Sequence, residues 1–358
     1  MRKLTLKKKK WFLKKAISCK INKSQKKSKY TSFDTSPKTR MLCLEEEYNK
    51  TVSFFNEIRI LSNKKNQKNL KFNIVLKKLN KISPAACLIL AGEIDRLKRV
   101  KEGRNLITKD FKKWNHNIRN QFNEMGMFEL LNINNKKKFF FEKMNNREPS
   151  EIYVKFISGI SAQGQKAIEL RDGIEAKIKN IIPNKKFIQK GLTEAMTNVS
   201  NHAYPDDHLN NLNFKDQRWW MSASYNRKTS NLTLIFYDQG IGIPESFRNN
   251  PSKWEYIKNI FPLKPNVQDS EIIKSAFEVG KSSTKEPNRG NGLDDIKSYI
   301  SSLDIDNGHL KIYSGKGMYS FLKVNNTISE KNIENKDYPL QGTLIEWQSK
   351  IKKYENNN

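Results

Sequence analysis

Apolar positions along this chain follow two periods, and the switches between them mark out its elements. "SPAACLILAGEIDRLKRV" carries apolar residues at helical spacing behind a Ser-Pro start, which predicts a helix over about 84–99. "HNIRNQFNEMGMFELL" predicts another amphipathic helix, and "LEEEYNKTVSFFNEIRILS" reads as helix or mixed structure. "LKFNIVL" and "KKFFFEKMN" read as short strands, so the first half predicts a compact α/β unit. The second half opens at "EIYVKFIS". Two helices follow, "GQKAIELRDGIEAKIKNII" and "KKFIQKGLTEAMTNVSNHAY", parted by a turn at Pro183. "RWWMSASYN" and "NLTLIFYDQG" flank a polar "RKTSN" turn and predict a hairpin. Residues 245–280 read as irregular, with several prolines and short helical pieces. The helix "LDDIKSYISSL", a second hairpin "HLKIYSGKGMYSFLKV" and a last strand "GTLIEWQ" complete the chain. The expected class is α/β (α+β), with helices on one face of a mainly antiparallel sheet.

Composition changes this picture mainly at the N-terminus. The chain has 358 residues, enough for two domains, and a formal net charge of +30. The first 30 residues hold 13 Lys or Arg, and no acid comes before Asp34. That stretch is expected to be a flexible basic arm, either a solubilising tail or a segment drawn to nucleic acid or an anionic membrane surface. "WFLKKAI" is broken by lysines and does not make the apolar core of a signal peptide, while a basic, acid-poor presequence stays open. No apolar run approaches the roughly 18 residues of a membrane span. Cys19, Cys43 and Cys87 lie far apart without CxxC spacing, as suits a reducing compartment, and the expectation is a soluble, cytoplasmic protein. His116, His202, His208 and His309 form no metal-ligand pattern.

Candidate chemistry is concentrated in "GLTEAMTNVSNHAYP", residues 191–205. Helical positions four apart drift by only about 40°, so Glu194, Asn198 and His202 form one polar file. Leu192, Ala195, Met196, Val199 and Ala203 form the packing side, and the file by itself reads equally as a solvated face. An Asn amide oxygen suits Mg²⁺, and a carboxylate one turn away could orient or deprotonate an attacking hydroxyl or water. His202 reads as a packing or hydrogen-bonding residue of the helix end. "LTLIFYDQGIGIP" puts Asp238 at a strand end before Gly240 and Gly242, where a carboxylate can accept from an exocyclic amine and bare backbone lets a planar ring approach. Gly290 and Gly292 in "NRGNGLDDI" open a helix whose free N–H groups could cradle phosphate, although a plain helix start explains them as well.

In this order, "EAMTNVSNHAYP", "DQGIGIP", "GNGL" and "GTLIEW" resemble the N box and the three glycine boxes of the GHKL ATPases, the superfamily of gyrase, chaperone, histidine kinase and MutL ATPase domains. The resemblance spans roughly residues 160–350 and is closest to the anti-sigma-factor serine kinases. It implies a Bergerat-type α/β sandwich that binds ATP and Mg²⁺. Asp238 would hold the adenine amino group with Gly240, Gly242 and Thr343 beside the base, Asn198 would coordinate Mg²⁺, and Glu194 would be the general base. Gly290 and Gly292 would lie under the phosphates. Residues 245–289 would form the ATP lid, whose end "GKSSTKEPNRG" offers Ser282, Ser283 and Thr284 to the nucleotide. "WNHNIRNQF" lacks the acid and proline of a sensor-kinase phosphoacceptor site.

"FNIVLKKLNKISPAACLILAGEIDRLKR" and "NHNIRNQFNEMGMFELLNI" resemble, more faintly, the STAS domain of anti-sigma-factor antagonists. Ser83 then falls at the antagonists' phosphorylated serine, with Ile82 in place of their usual Asp; otherwise Ser83 is a helix N-cap. The expected organisation is a basic arm over 1–35, a STAS-like unit over 36–150, a GHKL domain over 151–350 and a tail over 351–358. Three function classes follow. The first is a Mg-ATP-dependent serine/threonine protein kinase or anti-sigma-like regulator of a protein partner, such as a STAS-type or sigma-like protein. The second is an ATP-gated switch, with homodimerisation among its outputs, and the third is a nucleic-acid-binding protein that uses its arm.

Overall fold

The computed structural model describes residues 31–62, 70–100, 106–133, 150–179, 182–205, 217–282, 292–302, 307–333 and 336–351. The strand expected over "KKFFFEKMN" and the basic residues 1–30 lie outside these.

The N-terminal unit contains β1 (Thr31–Thr35), β2 (Met41–Leu42), α1 (Tyr48–Ser62), β3 (Leu70–Val75), β4 (Lys81–Ile82), α2 (Pro84–Val100) and β5 (Leu106–Lys109). After a 3₁₀ turn come α3 (His116–Glu124) and α4 (Met127–Leu130). Strands β1, β3 and β5 form a parallel sheet with β3 central, and β2 pairs with β4. Residues 31–35 therefore belong to the fold, which corrects the arm's expected limit at 35. Asp34 is tied to Asn73 at 2.6 Å and to Lys109 at 2.8 Å, so the strand has side-chain partners as well as a ladder. The single helix expected after His116 is two, because the chain turns at Gly126.

The C-terminal half supplies β6 (Glu151–Tyr153), β7 (Ile157–Gly159), α5 (Gly164–Ile178) and α6 (Lys185–Asn198), which passes into a π-helical turn at Val199–Ala203. Then come β8 (Trp219–Asn226), β9 (Asn231–Asp238), α7 (Ile243–Arg248), α8 (Pro251–Ile260), α9 (Asp269–Ser282), α10 (Gly292–Ser302), β10 (Asn307–Gly315), β11 (Gly317–Val324), β12 (Thr327–Ile333) and β13 (Leu340–Lys350). One sheet runs β12-β11-β10-β13-β9-β8-β6, with β7 also on β8, and every pair in it is antiparallel. In the β8–β9 turn, the Asn226 side chain accepts the N–H groups of Lys228 and Thr229. That closes the polar turn locally, as Asn does at such positions.

Strand alternation sorts this sheet into two apolar faces. Trp219, Met221, Leu234, Phe236, Ile345 and Trp347 pack with α5, α6 and α10 in one cluster. Trp220, Ile235, Tyr237, Tyr313 and Leu344 belong to the opposite face and share one cluster with the N-terminal unit. The sheet is covered on both sides, not one, and nearly every residue of β8 is buried. That is why Trp219 and Trp220 stand side by side, one on each face, and why the serines that alternate after them, Ser222 and Ser224, are buried too. Residues Ala85–Ala91 of α2 are buried all round for the matching reason: the helix lies between the sheet and α1.

Residues 245–280 are more regular than expected. Asn250 caps α8 by accepting from Lys253 N, and Pro251 opens it, so a proline read as a break is a helix start. Phe247, Ile257, Val267, Ile272 and Ala276 give α7, α8 and α9 a small core of their own. Strand β12 was not expected. All its residues are exposed, so no burial pattern marks it, and only pairing with β11 makes it a strand.

Candidate functional site

Two segments meet at the end of β9. Alternation puts Asp238 on the same face as Phe236, towards α6, and puts Tyr237 and Gln239 on the face of the N-terminal unit. Asp238 is buried, and its carboxylate accepts the N–H of Gly240 at 2.8 Å. Burial pushes its pKa up to about 7 against the backbone hydrogen bonds of Gly240 and Thr343, which favour the charged form. Thr343, on β13, is buried beside it, with its hydroxyl 3.1 Å from Ser314 Oγ.

The glycines here answer to close backbone approach. A Cβ on Gly240 would sit 2.3 Å from Ala203 O, and one on Gly342, whose φ is +78°, would sit 2.0 Å from Asp238 O. No side chain fits either place without moving backbone. The π-helical turn closes this junction: Ala203 O accepts the N–H of Ile241 at 2.8 Å. The Tyr204 hydroxyl accepts the N–H of Gln239 at 2.9 Å and donates to Arg218 O. Gly242 turns into α7, and Ile243 N–H donates to Ser314 Oγ at 2.9 Å.

On α6, Asn198 Nδ2 donates to Glu194 Oε1 at 2.9 Å. This leaves the Asn198 amide oxygen as its ligand-type atom. Burial first, and then the neighbouring Asp295, hold the Glu194 carboxyl above its ordinary range, opposed by Asn198 and Lys190. Asp295 also pairs with Lys190 at 2.6 Å and belongs to the first turn of α10, so Glu194 faces the start of the helix that Gly292 opens. His202 lies exposed in the π-helical turn, where partial desolvation lowers its pKa against a backbone hydrogen bond at Asn201; of the two roles expected for it, hydrogen bonding fits its place better than packing.

The expected site residues divide as follows. Asp238, Gly240, Gly242 and Thr343 lie together; Glu194 and Asn198 are bonded one turn apart; and α6 reaches the Asp238 turn through Ala203. Ser282 ends α9, while Ser283, Thr284 and Gly290 lie outside the described residues. Ser83 caps α2, accepting Ala86 N–H at 3.2 Å, in a cleft it shares with Glu45, Tyr313, Glu346 and Gln348. Two carboxylates in that cleft oppose a phosphate on Ser83. Sequence reasoning missed Tyr204, Ser314, Gln239 and Gln341, whose Nε2 donates to Gly240 O at 2.5 Å. Their neighbours in the glycine motifs were the only signal available.

Among the described residues no group of three or more His, Cys, Asp or Glu could hold a metal ion, and no helix is long and apolar enough to cross a membrane. The chain matches no family model and no curated protein.

Proposed function

We propose that this chain is an ATP-binding regulatory protein with a GHKL-type, Bergerat-like C-terminal domain and a STAS-like N-terminal unit. The supporting observation is the Asp238 turn: a buried carboxylate at a strand end, fixed by two backbone N–H groups, beside backbone that Gly240 and Gly342 keep bare. A buried carboxylate at a strand end favours a ligand that brings its own donor, and the exocyclic amine of a purine does so. Thr343 and Ser314 add hydroxyls at the same end of the sheet.

The donor set also fits magnesium carried in with a nucleotide. The Asn198 amide oxygen is a hard, neutral ligand, and Mg²⁺ bound to a triphosphate takes few protein ligands. Bound there, the ion would neutralise charge on the transferred phosphoryl group. Glu194 would accept the proton of an attacking hydroxyl, and its raised pKa matches a base working nearer neutrality. Asn198 would hold that carboxylate in place. A serine or threonine hydroxyl on a protein partner makes the reaction a kinase's; water makes it a switch ATPase's.

The switch reading has one observation in its favour: the N-terminal unit and the Asp238 turn are joined by buried polar groups. Incubation of the full chain with γ-labelled ATP separates the two. Label on protein supports the kinase, and free phosphate alone supports the switch. If wild type and Asp238→Asn bind ATP equally weakly, the nucleotide reading fails.

A further inference from the structure

The N-terminal unit reaches the Asp238 turn through one buried carboxylate. Glu93, on α2, and Gln239, the residue after Asp238, are both fully buried. Gln239 Nε2 donates to Glu93 Oε1 at 3.0 Å, and the same oxygen takes the guanidinium of Arg59 from α1 and the Tyr237 hydroxyl at 3.4 Å. Gln239 is held from two further sides, by Tyr204 at its N–H and by Gln341 at its carbonyl. Gly92 brings α2 close: a Cβ there would lie 3.1 Å from the Tyr237 ring and 3.4 Å from Gln239 Nε2.

We propose that Glu93 and Gln239 are positioning residues through which the N-terminal unit sets the geometry of the nucleotide site, so that movement of α2 and occupancy of the site are coupled. Residues 237–239 straddle the sheet, with Asp238 pointing to α6 and its two neighbours to α2. A shift of Glu93 along the α2 axis therefore pulls Gln239, and the Asp238 carboxylate turns with the backbone it shares. Packing alone could let α2 slide. Glu93, paired with Arg59, cannot move away from Gln239 without leaving a buried amide N–H unpaired. The coupling is reciprocal, so a ligand that fixes Asp238 also steadies α2.

The proposal rests on the ATP reading for its ligand but not for its mechanical part, and the test keeps the two apart. Amide hydrogen exchange is followed over residues 237–243 and 88–97 in the ligand-free and ATP-treated full chain. The proteins are wild type, Gln239→Met and Tyr237→Phe, with ATP affinity measured beside exchange. Gln239→Met conserves volume and leaves Arg59 on Glu93. Tyr237→Phe removes another partner of the same carboxylate without touching Gln239. The expected result is exchange at 237–243 faster by about tenfold and ATP affinity weaker by about tenfold in Gln239→Met, with less than about threefold change in Tyr237→Phe. In wild type, ATP should slow exchange over 88–97, a measurement that needs no variant to fold. Unchanged exchange at 237–243 in Gln239→Met, or equal effects of both variants, overturns the proposal. ATP binding without slower exchange over 88–97 also overturns it; if wild type binds no ATP while Gln239→Met loosens both 237–243 and 88–97, the nucleotide reading falls and the mechanical link between α2 and the turn stands.

Discussion

Asn198 donates its amide N–H to Glu194 across one helical turn at 2.9 Å, so the two polar residues of α6 act as one unit. Glu194→Gln keeps the size of the side chain and removes the base. Turnover of ATP is expected to fall by about 10²–10⁴-fold, with affinity changed by less than about threefold. Asn198→Ala should instead abolish the dependence of ATP binding on Mg²⁺. Calorimetric titration with and without Mg²⁺, beside a phosphate-release assay, reads both; turnover unaffected in Glu194→Gln would remove its assignment as base.

Asp238 makes stability depend on pH. Burial raises its pKa from 3.8 to about 7, so the folded state holds this proton more tightly than the unfolded chain. The associated stability is whole below about pH 4 and is lost as pH rises through about 7, a difference of up to roughly 4 kcal/mol. Asp238→Asn should lose this slope and be more stable than wild type at pH 8, as denaturant melts between pH 4 and 8 would reveal. Wild-type affinity for ATP should rise over the same interval, because the ionised carboxylate is the better acceptor.

Gly342 and Gly173 give contrasting substitutions. Gly342→Ala places a methyl group at a positive φ against Asp238 O and should cost at least about 2 kcal/mol together with ATP binding. Gly173, inside α5, has only Val154 at 3.4 Å, and Ala there should be neutral or stabilising by up to about 1 kcal/mol. Equal melting temperatures for the two variants would contradict the close approach at 342.

The N-terminal unit covers a face of the large sheet, so its removal should not leave a free-standing domain. A chain beginning at 150 would expose Trp220, Ile235, Tyr237, Tyr313 and Leu344 and should aggregate or bind a hydrophobic dye. Trp220 packs at a tilt against Tyr237, with ring centroids 6.0 Å apart, and donates its indole N–H to Asp95. Trp220→Ala should cost about 3–5 kcal/mol in the full chain. A soluble, cooperatively melting 150–358 fragment would show that the two halves fold independently.

Much of the local structure was legible. Ser83 and Pro84 marked the start of α2, which ends at Val100 against an expected 99. The polar run after Asn226 marked the first hairpin, and the second was read correctly. Failures came where no burial pattern exists, as in β12, or where a helix start resembled a break, as at Pro251. The π turn at Val199–Ala203 had no signature, since its apolar and polar positions continue the helical spacing of α6.

Period, capping residues and turn chemistry are short-range properties, so the residue order alone specified α2, α5, α6 and α10, both hairpins and the kinds of side chain at residues 194, 198 and 238. It could not say what lies against the second face of the sheet, because an apolar strand residue looks the same whichever element covers it. Nor could it pair Gln239 with Glu93, far away along the chain. Desolvation and long-range pairing depend on what surrounds a group. Folding therefore had to bring α2 over β9 before the Asp238 turn acquired its buried support.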